Sequence, residues 1–259
     1  MESLRQKKGF ICDMDGVIYH GNILLPGVKE FVNWLNENDK KYLFLTNGSG
    51  KSPKDLRKKL LRLGLDVEEH HFYTSAQATA KFLANQTPGC SAFVIGEPGL
   101  LNELYNAGIS FNDVDPDYVV VGETFNYNHA YITKAMRLVE QGARLIATNP
   151  DLTYPEEDGI CPACKALVAP IEITTGKKAY YVGKPNPLMM RTAKHILETR
   201  ANETAMIGDR MDTDIIAGIE SGLDPILVLS GVSTLENIKD FPYRPRLILN
   251  GVGDIVKQD

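Results

Sequence analysis

Short unbroken apolar runs separated by amphipathic segments set the strongest limit on what this chain can fold into. The runs are Phe10–Cys12, Tyr42–Leu45, Ala92–Ile95, Tyr118–Val121, Arg144–Ala147, Tyr180–Val182, Ala205–Ile207 and Ile226–Leu229. None alternates with period two, the mark of a sheet with one wet face; unbroken runs suit parallel strands buried on both faces. Helical periodicity fills the gaps. Pro26 opens a segment with Val28, Phe31, Val32 and Leu35 on one face. Ser52-Pro53-x-Asp55 reads as a capping box with Gly64 past the helix end. Asn186-Pro187 starts a helix with Met189, Ala193, Ile196 and Leu197 inward, and Asp212 starts another with Ile215, Ile216 and Ile219 inward and Gly222 as its stop. Repeated strand–helix alternation predicts an α/β fold with a parallel sheet covered on both faces. Such folds carry their chemistry at the carboxyl ends of strands.

Composition narrows the class. The chain has 259 residues, 28 Lys plus Arg against 33 Asp plus Glu, and so a net charge of −5. That balance argues against a nucleic-acid polymer or an anionic membrane as partner. No apolar run approaches the roughly 20 residues of a membrane span, the first ten residues contain no signal-type apolar stretch, and four cysteines are too few for a disulfide-stapled domain. A cytoplasmic setting is the expectation.

Four strand ends carry candidate chemistry. Phe10–Cys12 runs into Asp13-Met14-Asp15-Gly16, two carboxylates at i and i+2 that need a cation or a proton between them; by itself the same pattern suits a solvated acidic turn equally well. Tyr42–Leu45 runs into Thr46-Asn47-Gly48-Ser49, a hydroxyl, an amide and small residues able to cradle an anion. Lys184, in Gly183-Lys184-Pro185-Asn186-Pro187, follows Val182 and offers an ammonium to a phosphate or a carboxylate. Ala205–Ile207 runs into Gly208-Asp209-Arg210-Met211-Asp212-Thr213-Asp214, an acidic stretch suited to Mg²⁺. Asp212 reads as a helix-start residue, and Asp214 as a partner for Lys184 or for a metal-bound water. A fainter feature is the echo of Leu45-Thr46-Asn47 in Ala147-Thr148-Asn149.

In this order, D-M-D-G-V, L-T-N, G-K-P and G-D-R-M-D-T-D, the motifs resemble those of the haloacid dehalogenase superfamily of phosphohydrolases. Val120–Thr124, Ala147–Asp151 and Leu227–Val232 look like its NagD-type branch, and the resemblance runs from Phe10 to about Ile248. It implies a three-layer Rossmann-like α/β core at residues 1–77 and 181–259 and an inserted α/β cap at 78–180. It also implies a Mg²⁺-dependent phosphatase acting through an aspartyl-phosphate. Asp13 is then the nucleophile and Asp15 the general acid and base. The metal falls to Asp13, the Asp15 backbone carbonyl and Asp209, the phosphate to Thr46, Asn47 and Lys184, and Asp214 supports. Arg210 stands where the UMP-active branch leads us to expect Asn; with Met211–Thr213 it is expected to face substrate. Asn149–Cys164 is expected to reach over the site.

The expected partner is a small phosphate ester. Nucleoside 5′-monophosphates such as UMP come first, with pyridoxal phosphate, phosphoglycolate or nitrophenyl phosphate as the alternative. A phosphotransferase or mutase on the same core is a further reading, and a receiver-type phospho-acceptor module a remote one, since it needs no cap. Homo-oligomer contacts through the cap also follow from the resemblance. Cys161-Pro162-Ala163-Cys164 has C-x-x-C spacing but lacks the two further ligands a zinc site needs.

Overall fold

The computed structural model describes residues 1–156 and 159–257. The chain forms two compact α/β units, Met1–Thr46, Arg57–Tyr73 and Lys184–Asp259 in the first, Asn47–Leu56 and Thr74–Gly183 in the second. The second is therefore inserted into the first. Residues 47–56, expected in the core, go with the inserted unit, whose last residue is Gly183.

The first unit is a three-layer Rossmann-like arrangement around a six-stranded sheet. Its spatial order is Leu247–Leu249, Asp224–Val228, Thr204–Gly208, Gly9–Cys12, Lys41–Thr46, Phe72–Thr74. The chain leaves Gly9–Cys12 toward one edge, then returns beside it at Thr204–Gly208 and proceeds to the other. Those two central strands pair in parallel, Cys12 opposite Ile207, and both are buried throughout. They are the topological switch point, where ligands bind in open α/β sheets. The helix Val28–Glu37 buries Val28, Phe31, Val32 and Leu35, as its periodicity predicts. Phe31 and Trp34 meet the ring of Phe10 edge-on, at centroid distances of 6.1 and 5.7 Å.

The second unit has its own five-stranded parallel sheet, ordered Tyr180–Tyr181, Arg144–Ala147, Tyr118–Val121, Ser91–Ile95, Ser110–Phe111. Phe93, Ile95, Val119, Val121 and Leu145 form one core with Leu138, Val139, Leu167, Val168 and Ile171 from the helices His129–Glu140 and Cys164–Thr175. This sheet has a switch point too, between Ser91–Ile95 and Tyr118–Val121.

Several expectations change. Tyr180–Tyr181 pairs with Arg144–Ala147 in the second sheet, so Lys184 follows a strand of the inserted unit rather than of the core. Phe72–Thr74 and Leu247–Leu249, three residues each, are further core strands not among the apolar runs. Ile196 and Ile219 are 43% and 36% exposed; Met190 takes the inward place expected of Ile196. The capping box at Ser52–Asp55 forms, with Asp55 N–H donating to Ser52 Oγ at 3.2 Å.

A second capping box opens Ser75–Gln86: Gln77 N–H donates to Thr74 Oγ1 at 3.2 Å and Thr74 N–H to Gln77 Oε1 at 3.0 Å. Thr74→Ala removes one acceptor from a buried helix start and should cost about 1 kcal/mol, read as a lowered denaturation midpoint.

Candidate active site

Asp13 leaves the end of Gly9–Cys12 with its N–H still in the ladder, donating to Ile207 O at 2.8 Å. Asp209 leaves the adjacent strand Thr204–Gly208. Asp214 comes back on a single π-type turn, Met211–Ile215, a distortion often found at functional sites. Its approach depends on Gly208, where a Cβ would lie 2.1 Å from the Asp214 Cβ. Gly231 does the same for Asp209: a Cβ there would stand 2.0 Å from Asp209 Oδ2, which accepts from Val232 N–H at 2.7 Å.

The result is a concentration of buried charge. Oxygens of Asp13, Asp209 and Asp214 lie within 4.8 Å of one another. Lys184, 2% exposed, donates to Asp13 Oδ1, to Asp214 Oδ1 at 2.8 Å and to Leu45 O at 3.3 Å. Three carboxyl groups stand against one ammonium. Burial pushes the Asp13 carboxyl up, and Asp214 and Asp209 push the same way against the pull of Lys184. Asp209 is raised to about 7 by burial and then by Asp214. Burial also presses the Lys184 ammonium downward, but Asp13 and Asp214 outweigh it and hold the amine above its ordinary value. Asp209 Oδ1 is buried without a hydrogen-bond partner. Hard oxygen donors, excess negative charge and an orphaned carboxylate oxygen fit a divalent cation such as Mg²⁺.

The cluster contains both carboxylates expected of the metal set, Asp13 and Asp209, and adds Asp214; the third expected ligand is the Asp15 backbone carbonyl, and its side chain stands outside the cluster. The Asp15 carboxylate is 44% exposed, with one oxygen 3.8 Å from His20 Nδ1. Asp214 does pair with Lys184. Lys184, expected to meet the substrate phosphate, here donates to Asp13, Asp214 and the Leu45 carbonyl. Thr46 is half-buried at the end of Lys41–Thr46 in the first unit. Asn47 belongs to the second unit, where its Nδ2 donates to Asp151 Oδ2 at 3.1 Å. Asp212 lies in the first turn at Met211–Ile215, as a helix-start residue should, but makes no cap hydrogen bond; it binds the Arg210 guanidinium, at 3.2 Å from Nε and 3.0 Å from Nη2. The part of Arg210 that serves the cluster is its backbone N–H, which donates to Asp214 Oδ2 at 3.1 Å. Sequence reasoning missed the Leu45 carbonyl, which no side-chain pattern reports, and the anchoring role of Gly231-Val232.

Within the segment expected to reach over the site, Thr153–Glu156 pairs with Gly159–Pro162 as a hairpin, and Glu157 and Asp158 lie outside the described residues. In the C-x-x-C, Cys161 lies in the strand Gly159–Pro162 and Cys164 begins the helix Cys164–Thr175, and both are free cysteines. Cys164 donates its thiol to Val121 O at 3.2 Å, and burial pushes that thiol up to about 12.

A family model described as haloacid dehalogenase-like hydrolase matches residues 10–110, and a second HAD-hydrolase-like model matches residues 181–255. The chain is 46% identical over 248 residues to the ribonucleotide monophosphatase NagD of Escherichia coli K12, covering 96% of this chain and 98% of that one. It is 43% identical over 246 residues to a dihydroxyacetone phosphatase of Corynebacterium glutamicum, covering 95% and 90%. A crystal structure of a 4-nitrophenylphosphatase from Thermotoga maritima superposes with a TM-score of 0.94 at 33% identity, over 99% and 98% of the two chains. The chain belongs to the haloacid dehalogenase-like hydrolases, within their NagD-type phosphatases. Among the described residues no helix is long and apolar enough to cross a membrane.

The raised Asp209 group fixes the sign of a pH effect. Folded, it keeps a proton up to about pH 7 that the unfolded chain releases near its ordinary value of 3.8. The folded state binds more protons in that window, so the metal-free protein should lose stability as pH rises from about 4 to about 7. Thermal melts in chelator should show that fall, Mg²⁺ should reverse it, and Asp209→Asn should reduce it, Asp13 being raised in the same direction.

Proposed function

We propose that this chain hydrolyses small phosphate monoesters through a covalent aspartyl-phosphate on Asp13, with nucleoside 5′-monophosphates such as UMP as the first substrate class. The observation that carries the reading is the Asp13, Asp209 and Asp214 cluster around Lys184 at the first sheet's switch point. We assign the catalytic core to the first unit and the cap to the second.

Mg²⁺ would be held by Asp13, Asp209 and the Asp15 carbonyl, with Asp214 beside them, and when bound would offset phosphoryl charge that otherwise repels the attacking carboxylate. Lys184 fixes one Asp13 oxygen by a charge-assisted hydrogen bond and leaves the other to attack phosphorus. As the new phosphorus–oxygen bond forms, the ester bond breaks, and Asp15 gives its proton to the leaving alkoxide. Asp15 then takes a proton from water. The hydroxide attacks phosphorus, the acyl-phosphate bond breaks and the Asp13 carboxylate returns. Such a division splits one hard displacement into two. Partial exposure of the Asp15 carboxylate supports its proton-transfer role. Lys184, Thr46 and Asn47 are proposed to bind phosphoryl oxygens; Arg210 has a lesser part in substrate binding, since Asp212 already takes its guanidinium. The setting proposed is cytoplasmic, on the sequence grounds above, with homo-oligomer contacts through the cap.

Phosphate release with Mg²⁺ should be measured across nucleoside monophosphates, dihydroxyacetone phosphate, sugar phosphates, pyridoxal phosphate, phosphoglycolate and nitrophenyl phosphate. No release from any of these would overturn the phosphatase reading. A higher kcat/KM for dihydroxyacetone phosphate than for UMP would overturn the substrate assignment alone. Asp13→Asn should abolish turnover while retaining weak Mg²⁺-dependent phosphate binding, and normal turnover in that variant would reject Asp13 as nucleophile.

A further inference from the structure

The second sheet's switch point is filled by the chain itself. At the carboxyl ends of Ser91–Ile95 and Tyr118–Val121, where a parallel α/β sheet offers a ligand crevice, lies the segment Asn47–Lys51. The contact is close. A Cβ on Gly99 would stand 2.6 Å from the Gly50 carbonyl carbon and oxygen and from the Lys51 nitrogen, and a Cβ on Gly122 would stand 2.6 Å from Ser49 Oγ. Gly99 N–H, in the first turn of Pro98–Asn106, donates to Gly50 O at 3.2 Å.

Glu123 grips this segment. Its Oε2 accepts from Ser49 N–H at 3.0 Å and from the Ser49 hydroxyl, and its Oε1 accepts from Asn149 Nδ2. Asn149 in turn donates from Nδ2 to the Asn47 carbonyl at 2.7 Å, while its Oδ1 accepts from Asp151 N–H at 3.1 Å. The Asn149 amide is therefore fixed at both ends and cannot turn over. The two asparagines of the sequence echo meet here, Asn149 against Asn47. No side chain in the reaction scheme above accounts for Glu123.

We propose that Asn47–Lys51 is a built-in ligand of the second unit, and that Glu123, with Asn149, is a positioning residue that fixes Asn47 for the substrate phosphate. Neither residue touches the reacting atoms. The inference rests on the phosphatase reading, because it is the proposed phosphate role of Thr46 and Asn47 that makes their setting matter.

Glu123→Gln is the direct test. With Asn149 pinned, a glutamine amide that keeps its oxygen on Ser49 turns its NH₂ toward a donor, so the contact opposes two donors in place of a charge-assisted bond. A residue that sets phosphate binding equally in ground and transition states changes KM more than kcat. The variant should show KM for nitrophenyl phosphate and the inhibition constant for inorganic phosphate raised together by about five- to twenty-fold, with kcat within about three-fold of the parent. Ser49→Ala removes only the hydroxyl donor and should raise both constants by about two- to four-fold; it keeps the test decisive if Glu123→Gln folds poorly. A lowered melting temperature with unchanged KM and phosphate inhibition would reduce Glu123 to a structural prop and overturn the proposal. A parent enzyme that releases no phosphate from any ester would instead overturn the phosphatase reading, so the two failures are distinguishable.

Discussion

Three buried carboxylates facing one buried ammonium is the interaction on which the rest depends. Asp13, Asp209 and Asp214 repel one another in a setting too dry to screen them, and Lys184 offsets only one of the three charges. The chain accepts that conflict because the sheet's topology forces it. Two strands distant in sequence run side by side at the switch point, and each ends in an aspartate. Glycines at 208 and 231 then remove the Cβ atoms that would keep the carboxylates apart. A cation-binding site follows directly, since unrelieved charge of that size favours either protonation or a metal.

The fold uses the same device twice with opposite results. In the first sheet the switch point gathers charge. In the second it receives a peptide segment, and the acidic group there, Glu123, is satisfied by Ser49 and Asn149. A carboxylate with its donors in place holds structure. A carboxylate such as Asp209, with one buried oxygen unpartnered, waits for a ligand. The physical difference is hydrogen-bond satisfaction.

Central strands were the most legible part of the sequence. Tyr118–Val121 and Arg144–Ala147 form over the residues read from their apolar runs, because strands buried on both faces cannot afford polar interruptions. Edge strands were less legible: Tyr180–Tyr181 lies within a run read from the sequence, whereas Leu247–Leu249, three residues long and only partly buried, was not read as a strand. Ile196 and Ile219 are apolar by type yet partly exposed. Asp13, Asp15, Lys184 and Asp209 stood out because each lies beside a run that ends abruptly. The place of Asp214 in the carboxylate cluster, and the pairing of Arg210 with Asp212, depend on one π-type turn that no residue pattern announces.

What the sequence determined by itself was the inventory: buried parallel strands, an acid pair after the first, a lysine before a helix and a later Gly-Asp. These are local consequences of burial and of side-chain chemistry along a few consecutive residues. Only the tertiary structure decided which groups meet. Lys184 follows a strand of one sheet yet lies among the aspartates of the other, and Asn47 follows a core strand yet is held by Glu123 and Asn149 of the inserted unit. Contacts between residues tens to hundreds of positions apart are set by strand order and by the glycines that let backbones approach, and neither is visible in a run of side chains.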